Sequence, residues 1–350
     1  MNFLRLKGWF SGRYDFRELA RLAKEKTRTL RRFDFGAVTR FLIALQFVTG
    51  MTLAFYYVPH PDFAHKSIID IVTKLNMGWF FRSFHHWGAQ LALLFLFIHL
   101  FGTLLTKSYR NHREFVWFTG FILLGISIFF GLSGYLLLWD DRALAGVKVA
   151  TGGVKALPVI GGFLMAFLRG GIDVTGETLT RFYAFHVSLL PLATLFLVSL
   201  HVNIRKKEKS RTGFFLFGQG NAHAPILNQK LYHDLIVWLL VLGAVATLAV
   251  FLPPEIGIKA DLLAPTPENI KPEWYFLFVF QTLKLFPGQI FGLNGEVIAI
   301  LLIATAMAIL FLLPLIDKKS SRGEPSPLFT WVGIAYIAYI MIMTIVGYLS

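Results

Sequence analysis

The sequence predicts an all-α membrane protein of about seven transmembrane helices, the first four forming a bundle. Three observations predict it. The chain of 350 residues is 55% hydrophobic and 16% aromatic with only 15% charged residues, and its mean hydropathy of +0.61 is too apolar for an ordinary soluble domain. Apolar stretches long enough to cross roughly 30 Å of hydrocarbon as helix run near 36–57, 83–106, 116–139, 182–203, 233–253, 294–316 and 328–349. Loops on alternate sides differ in charge: 1–35, 107–115, 204–232 and 317–327 hold 22 Lys and Arg, against 11 in 58–82, 140–181 and 254–293. The net charge of +14 therefore reports topology, with the N-terminus cytoplasmic, and no nucleic-acid partner is expected.

Taken in order, residues 1–35 are Arg- and Lys-rich, lack the pattern of a secretory signal, and read as a cytoplasmic segment lying on the membrane surface. Spans one to four form a block over 36–215, closing on the polar run RKKEKSR (205–211). The loop between spans three and four carries Gly152, Gly153, Pro158, Gly161 and Gly162, then FLMAFLRG (163–170), which suits a surface helix. The last three spans form a second block over 216–350, beginning in GQGNAHAPILNQK (218–230). Its long connection 254–293 holds Pro253 at its edge and Pro254, Pro265, Pro267, Pro272 and Pro287, which predicts a partly irregular, functional loop. The chain has no cysteine, which excludes a disulfide, a cysteine-ligated cluster and a thioether-linked haem within it.

Chemistry enters with the histidines. Span two reads RSFHHWGAQLALLFLFIHLFG (82–102), with His85 and His99 fourteen residues apart; span four reads RFYAFHVSLLPLATLFLVSLH (181–201), with His186 and His201 fifteen apart. At about 100° per residue each pair falls within roughly 40° to 60° of one helix face, about four turns apart. A bis-histidine haem needs one uncharged imidazole from each of two facing helices at matching depth. Spans two and four run in the same direction, so His85 pairs with His186 near the outer surface and His99 with His201 near the inner one, giving two non-covalent b-type haems. A lone histidine of this kind is usually a packed or helix-end residue, as His86 is expected to be; four in register are not.

Close approach to a haem needs small residues. Gly36 and Gly50 in span one, and Gly120 and Gly134 in span three, are each fourteen apart, the stride of the histidines. Arg82 and Arg181, and on the inner side Arg113, are candidates to pair with haem propionates, since a guanidinium fork matches a carboxylate.

These residues, with TRFYAFH (180–186), FGLSGYLLLWDD (130–141) and IKPEWYFLF (270–278), make the chain similar to cytochrome b of the cytochrome bc complexes over essentially its whole length. The first four spans resemble cytochrome b6, including the fifteen-residue spacing in span four; the last three resemble the separate subunit IV of chloroplast-type complexes, here joined. The resemblance implies a quinol:cytochrome c (or plastocyanin-like acceptor) oxidoreductase subunit that oxidises quinol at an outer site. One electron would go to a Rieske iron–sulfur protein and on to a c-type cytochrome, the other through the two haems to an inner quinone.

It also implies that Pro272, Glu273, Trp274 and Tyr275 line the outer pocket with Glu273 accepting a quinol proton, a role that suits a carboxylate in a partly dry pocket. Gly146, in ALAGVKVATG, would leave room on the opposite wall, and Arg205 and Asp234 would serve the inner site. Homodimerisation within a larger complex and a bacterial cytoplasmic membrane are further implications. Three features depart from the family: Leu138 stands where a proline usually precedes Trp139, no cysteine is present for a covalent third haem, and an eighth span is lacking. Two rival readings are a diheme cytochrome serving a multihaem cytochrome without a Rieske partner, and a proton-coupled transporter with a histidine relay.

Overall fold

The computed structural model describes residues 34–110, 113–211, 229–264, 271–322 and 324–350. The surface segment expected over 1–35, beyond its last two residues, and the block boundary at 215–216 lie outside them.

The first helix, α1 (Phe35–Ala54), opens at Asp34, whose carboxylate accepts the Ala37 amide and satisfies one of the unpaired amides of the first turn. A short helix, α2 (Ala64–Lys74), leads to α3 (Gly78–Leu105), and α4 (Glu114–Leu136) follows. Between spans three and four lie α5 (Asp141–Lys155) and α6 (Gly161–Arg169), the second being the expected surface helix, with Phe163 and Phe167 exposed. Then α7 (Gly176–Ala184) passes through a π-turn, Phe185–Leu189, into α8 (Leu190–Arg211).

The second block begins with α9 (Gln229–Phe251). The connection that sequence predicts to be partly irregular contains α10 (Trp274–Lys284) and a two-residue antiparallel hairpin, β1 (Gln289–Ile290) with β2 (Leu293–Asn294), in which Gln289 faces Asn294. The chain ends with α11 (Gly295–Phe311), α12 (Leu313–Ile316), α13 (Lys318–Ser321) and α14 (Pro327–Leu349).

Among the described residues six helices are long and apolar enough to cross a membrane, and the sixth expected span, 294–316, is shorter, at 17 residues in α11. The cause is Pro314: it has no amide to give the Leu310 carbonyl, and its ring clashes there. The Trp117 indole donates to that carbonyl and to Phe311 instead, each at 3.1 Å. Helices whose outward faces are Leu and Phe, such as Leu239, Leu240 and Phe196, invert the soluble pattern, as hydrocarbon requires.

Three apolar clusters hold the bundle. One joins Val38 and Leu42 of α1 to Phe84 of α3 and Val245 of α9; another centres on Trp139, Leu144 and Phe182 between α4, α5 and α7. The third joins α3 and α4 to Tyr275 and Leu310 of the second block.

Candidate haem and quinol-oxidation site

Each histidine helix packs closely on a glycine helix, α3 on α1 and α8 on α4. A Cβ built on Gly36 would stand 3.1 Å from His99 Cε1, on Gly50 3.0 Å from His85, on Gly120 3.2 Å from His201 and on Gly134 2.7 Å from His186. The four glycines whose stride matches the histidines thus meet them one to one, and any side chain there would push an imidazole aside. The His85 and His186 rings are neighbours, edge-on at 75° with centroids 6.4 Å apart, a spacing at which both imidazoles could hold one haem iron between them. His99 and His201 lie within electrostatic reach of each other.

Sequence reasoning missed what holds the other nitrogen. Thr49 Oγ1 lies 2.8 Å from His85 Nδ1, Thr119 Oγ1 2.9 Å from His201 Nδ1 and Ser133 Oγ 3.0 Å from His186 Nδ1. Each hydroxyl directly precedes one of the glycines, and each gives its single proton to a carbonyl of its own helix: Leu45, Phe115 and Phe130. A hydroxyl that has donated can only accept, so at His186 and His201 Nδ1 carries the ring proton and Nε2 is left with its lone pair. That is the tautomer a metal requires. Phe35 precedes Gly36, so His99 has no hydroxyl of this kind. At His85 the Gln46 amide nitrogen, in the orientation that satisfies all its contacts, donates to Nδ1 at 3.1 Å and competes with Thr49, so no tautomer follows there from the hydroxyl.

The unequal spacings, fourteen and fifteen, are reconciled by the backbone. Pro191 cannot donate to the Val187 carbonyl, and the turn before it opens to a π-turn in which Leu190 N–H reaches Phe185 C=O. Closing five residues on instead of four absorbs one residue, so His186 and His201 span the same number of turns as His85 and His99.

The expected arginines are placed differently from one another. Arg82 is buried one turn before His85, donating to the carbonyls of Pro254 at 2.7 Å and Glu255 at 3.0 Å. Arg181 donates to the Phe167 carbonyl at 2.8 Å, and Arg113 is the residue before α4. On the inner side Arg205 pairs with Asp34 at 3.1 Å. Burial disfavours the charged Asp34, but Arg205, with Arg40 and the Ala37 amide, holds its carboxyl below the usual range. Arg40, also missed, is a charge inside an apolar span one turn past Gly36, within reach of Asp34, Arg205 and Asp234.

The motif Pro272–Tyr275 is brought against α3 and α4, beside the His85–His186 pair. Glu273 is the residue before α10; its Oε2 accepts from Gln90 Nε2 at 3.0 Å, and the Trp274 indole donates to Gln90 Oε1 at 2.7 Å. Burial pushes the Glu273 carboxyl up, opposed by the Gln90 bond. Tyr275 is buried with its hydroxyl against Gly131, where a Cβ would collide with it. Tyr135 forms the next wall: its ring would meet a Cβ on Gly146 at 3.2 Å, and it lies within electrostatic reach of Glu273. At the departure Leu138, the amide donates to the Tyr135 carbonyl at 3.2 Å, a bond that a proline would lack.

Fold and site together define a multi-pass helical membrane protein built around two pairs of histidines backed by glycines. The family model described as Cytochrome b/b6/petB matches residues 23–209, and that described as Cytochrome b(C-terminal)/b6/petD matches 259–350. The chain belongs to the cytochrome b/b6 family of electron-transport proteins, and membership implies b-type haem. A cytochrome bc complex cytochrome b subunit of Chlorobaculum thiosulfatiphilum is 38% identical over 314 residues, covering 89% of this chain and 72% of that protein. Cytochrome b of Caenorhabditis briggsae is 32% identical over 289 residues, 81% of this chain and 76% of that one. Among solved structures, one described as hyperthermophilic respiratory Complex III matches with a TM-score of 0.73 at 26% identity, covering 97% of this chain and 90% of that one.

Proposed function

We propose that this chain is the diheme cytochrome b of a quinol:cytochrome c type oxidoreductase, oxidising quinol beside the His85–His186 pair. The observation that carries the reading is Glu273, a half-buried carboxylate held next to the histidine helix α3 and within reach of Tyr135 and Tyr275. Quinol oxidation releases two electrons and two protons. Glu273 takes one proton from a ring hydroxyl, while Tyr275, Trp274, Pro272 and Gly146 shape the pocket that receives the ring. One electron passes to a Rieske iron–sulfur partner and thence to a c-type cytochrome.

The other crosses the membrane. His85 with His186 and His99 with His201 would hold two b-type haems, which supply a one-electron relay. Their propionates would fall to Arg82 and Arg181 on the outer side and to Arg113 on the inner. At the inner end Arg205 and Asp234, now joined by Arg40, would receive a quinone and its protons. Residues 36–215 act as the haem-holding block and 216–350 bring in the motif. The basic loops support a cytoplasmic N-terminus in a bacterial inner membrane, and a homodimer within the complex completes the proposal.

The test is optical. The purified complex should show a b-type band in a reduced-minus-oxidised spectrum and two components in a redox titration, and His201→Leu should abolish one component and spare the other. A spectrum without the band, or a variant that keeps both components, would overturn the reading.

A further inference from the structure

Gln90 stands on α3 five residues beyond His85, and its amide makes two bonds to the loop and helix of the second block: to Glu273 and to Trp274. The indole fixes which end is which. Trp274 Nε1–H can only donate, so the atom facing it at 2.7 Å is the Gln90 carbonyl oxygen, and the NH2 group is turned to the Glu273 carboxylate. An amide that donates to a carboxylate favours its ionised form, and here the bond is charge-assisted inside a partly dry pocket.

We propose that Gln90 is a positioning residue for quinol oxidation: it keeps the Glu273 carboxylate turned toward α3 and locks that orientation to Trp274. The proposal rests on Glu273 being the proton acceptor. It gives one side chain on the histidine helix control over the base on the other block. Of the titratable groups facing Glu273, Tyr135 comes from α4 and Tyr275 from α10, both phenols. Lys271, two residues upstream, is drawn away to the Tyr348 carbonyl at 2.7 Å.

The experiment is the pH dependence of quinol:cytochrome c turnover by the intact complex. Gln90→Leu should move the acid limb upward by about one pH unit, so that activity falls about tenfold at the low end and recovers toward wild type at high pH. Gln90→Glu, which adds a second carboxyl, should move it further. Gln90→Met keeps the length without the amide and serves if the leucine variant loses its b-type spectrum. A uniform loss across pH, or an unmoved limb, overturns the proposal. Glu273→Gln separates the two claims: if it retains the wild-type rate and profile, the reading of Glu273 fails. If it loses the limb while the Gln90 variants leave it in place, only Gln90's role fails.

Discussion

A hydroxyl and the glycine after it stand beside three of the four histidines: the glycine lets the ring approach, and at His186 and His201 the hydroxyl, having given its proton to its own helix, sets the tautomer. Neighbours that orient a metal-binding histidine commonly change metal affinity by about 10- to 100-fold when removed. Thr119→Val keeps the shape and removes the acceptor for His201 Nδ1–H. A less electron-rich imidazole favours reduced iron, so under the two-haem proposal the component held by His201 should titrate at a higher potential and be retained about tenfold less well, with the other component unchanged. Equal behaviour of both components in a redox titration would contradict the tautomer argument. None of this was visible as spacing alone. The glycine stride was legible because it repeats in the sequence; the hydroxyls, Arg40 and Gln90 were not, because their meaning depends on which helix faces them.

At the level of elements, two prolines redraw helices that hydropathy would continue. Pro191 opens the π-turn that puts His186 in register, and Pro314 stops α11 short and hands a carbonyl to Trp117. The turn after α4 shows the opposite case, with one side chain starting a helix and tying it to a distant segment. Asp140 is buried; one oxygen caps α5 through the Ala143 amide at 2.8 Å, and the other accepts the Gly257 amide at 3.3 Å. Asp140→Ala loses a cap and leaves a buried amide unpaired, a cost of about 1–3 kcal/mol. The expected result is a shorter half-life of the b-type spectrum on heating, with the spectrum itself unchanged before heating.

In the whole molecule, the second block is fastened to the first at both ends. On one face the segment 252–260 is laced into it: Trp87 donates to Leu252 at 2.7 Å, Arg82 to Pro254 and Glu255, His65 Nε2 lies 2.8 Å from the Gly257 carbonyl, and Asp141 and Ala260 add backbone bonds of 3.0 Å. On the other face Tyr109 donates to Asp317 at 2.9 Å, and the Lys107 ammonium donates to the Ser326 carbonyl. Burial pushes the Asp317 carboxyl up, but the bonds from Ser320, Ser326 and Tyr109 outweigh it and hold it below the usual range. A folded value below the unfolded one means stability fully present above about pH 4 and lost as pH falls through the folded value. Heat-inactivation rates should therefore rise in acid for the wild type, and Asp317→Asn should remove that component of the pH dependence.

The sequence by itself determined the membrane class, the two histidine helices, the glycine stride and the motif around Glu273, because these follow from periodicity, length and local composition, which a linear chain displays. Tertiary structure alone decided the partners. Which hydroxyl serves which imidazole, that Gln90 rather than solvent meets Glu273, and that Arg82 is tied to the connection 254–255 all depend on contacts between residues far apart in the chain. Side-chain hydrogen bonds carry no period, and only the packed helices bring their two halves within reach.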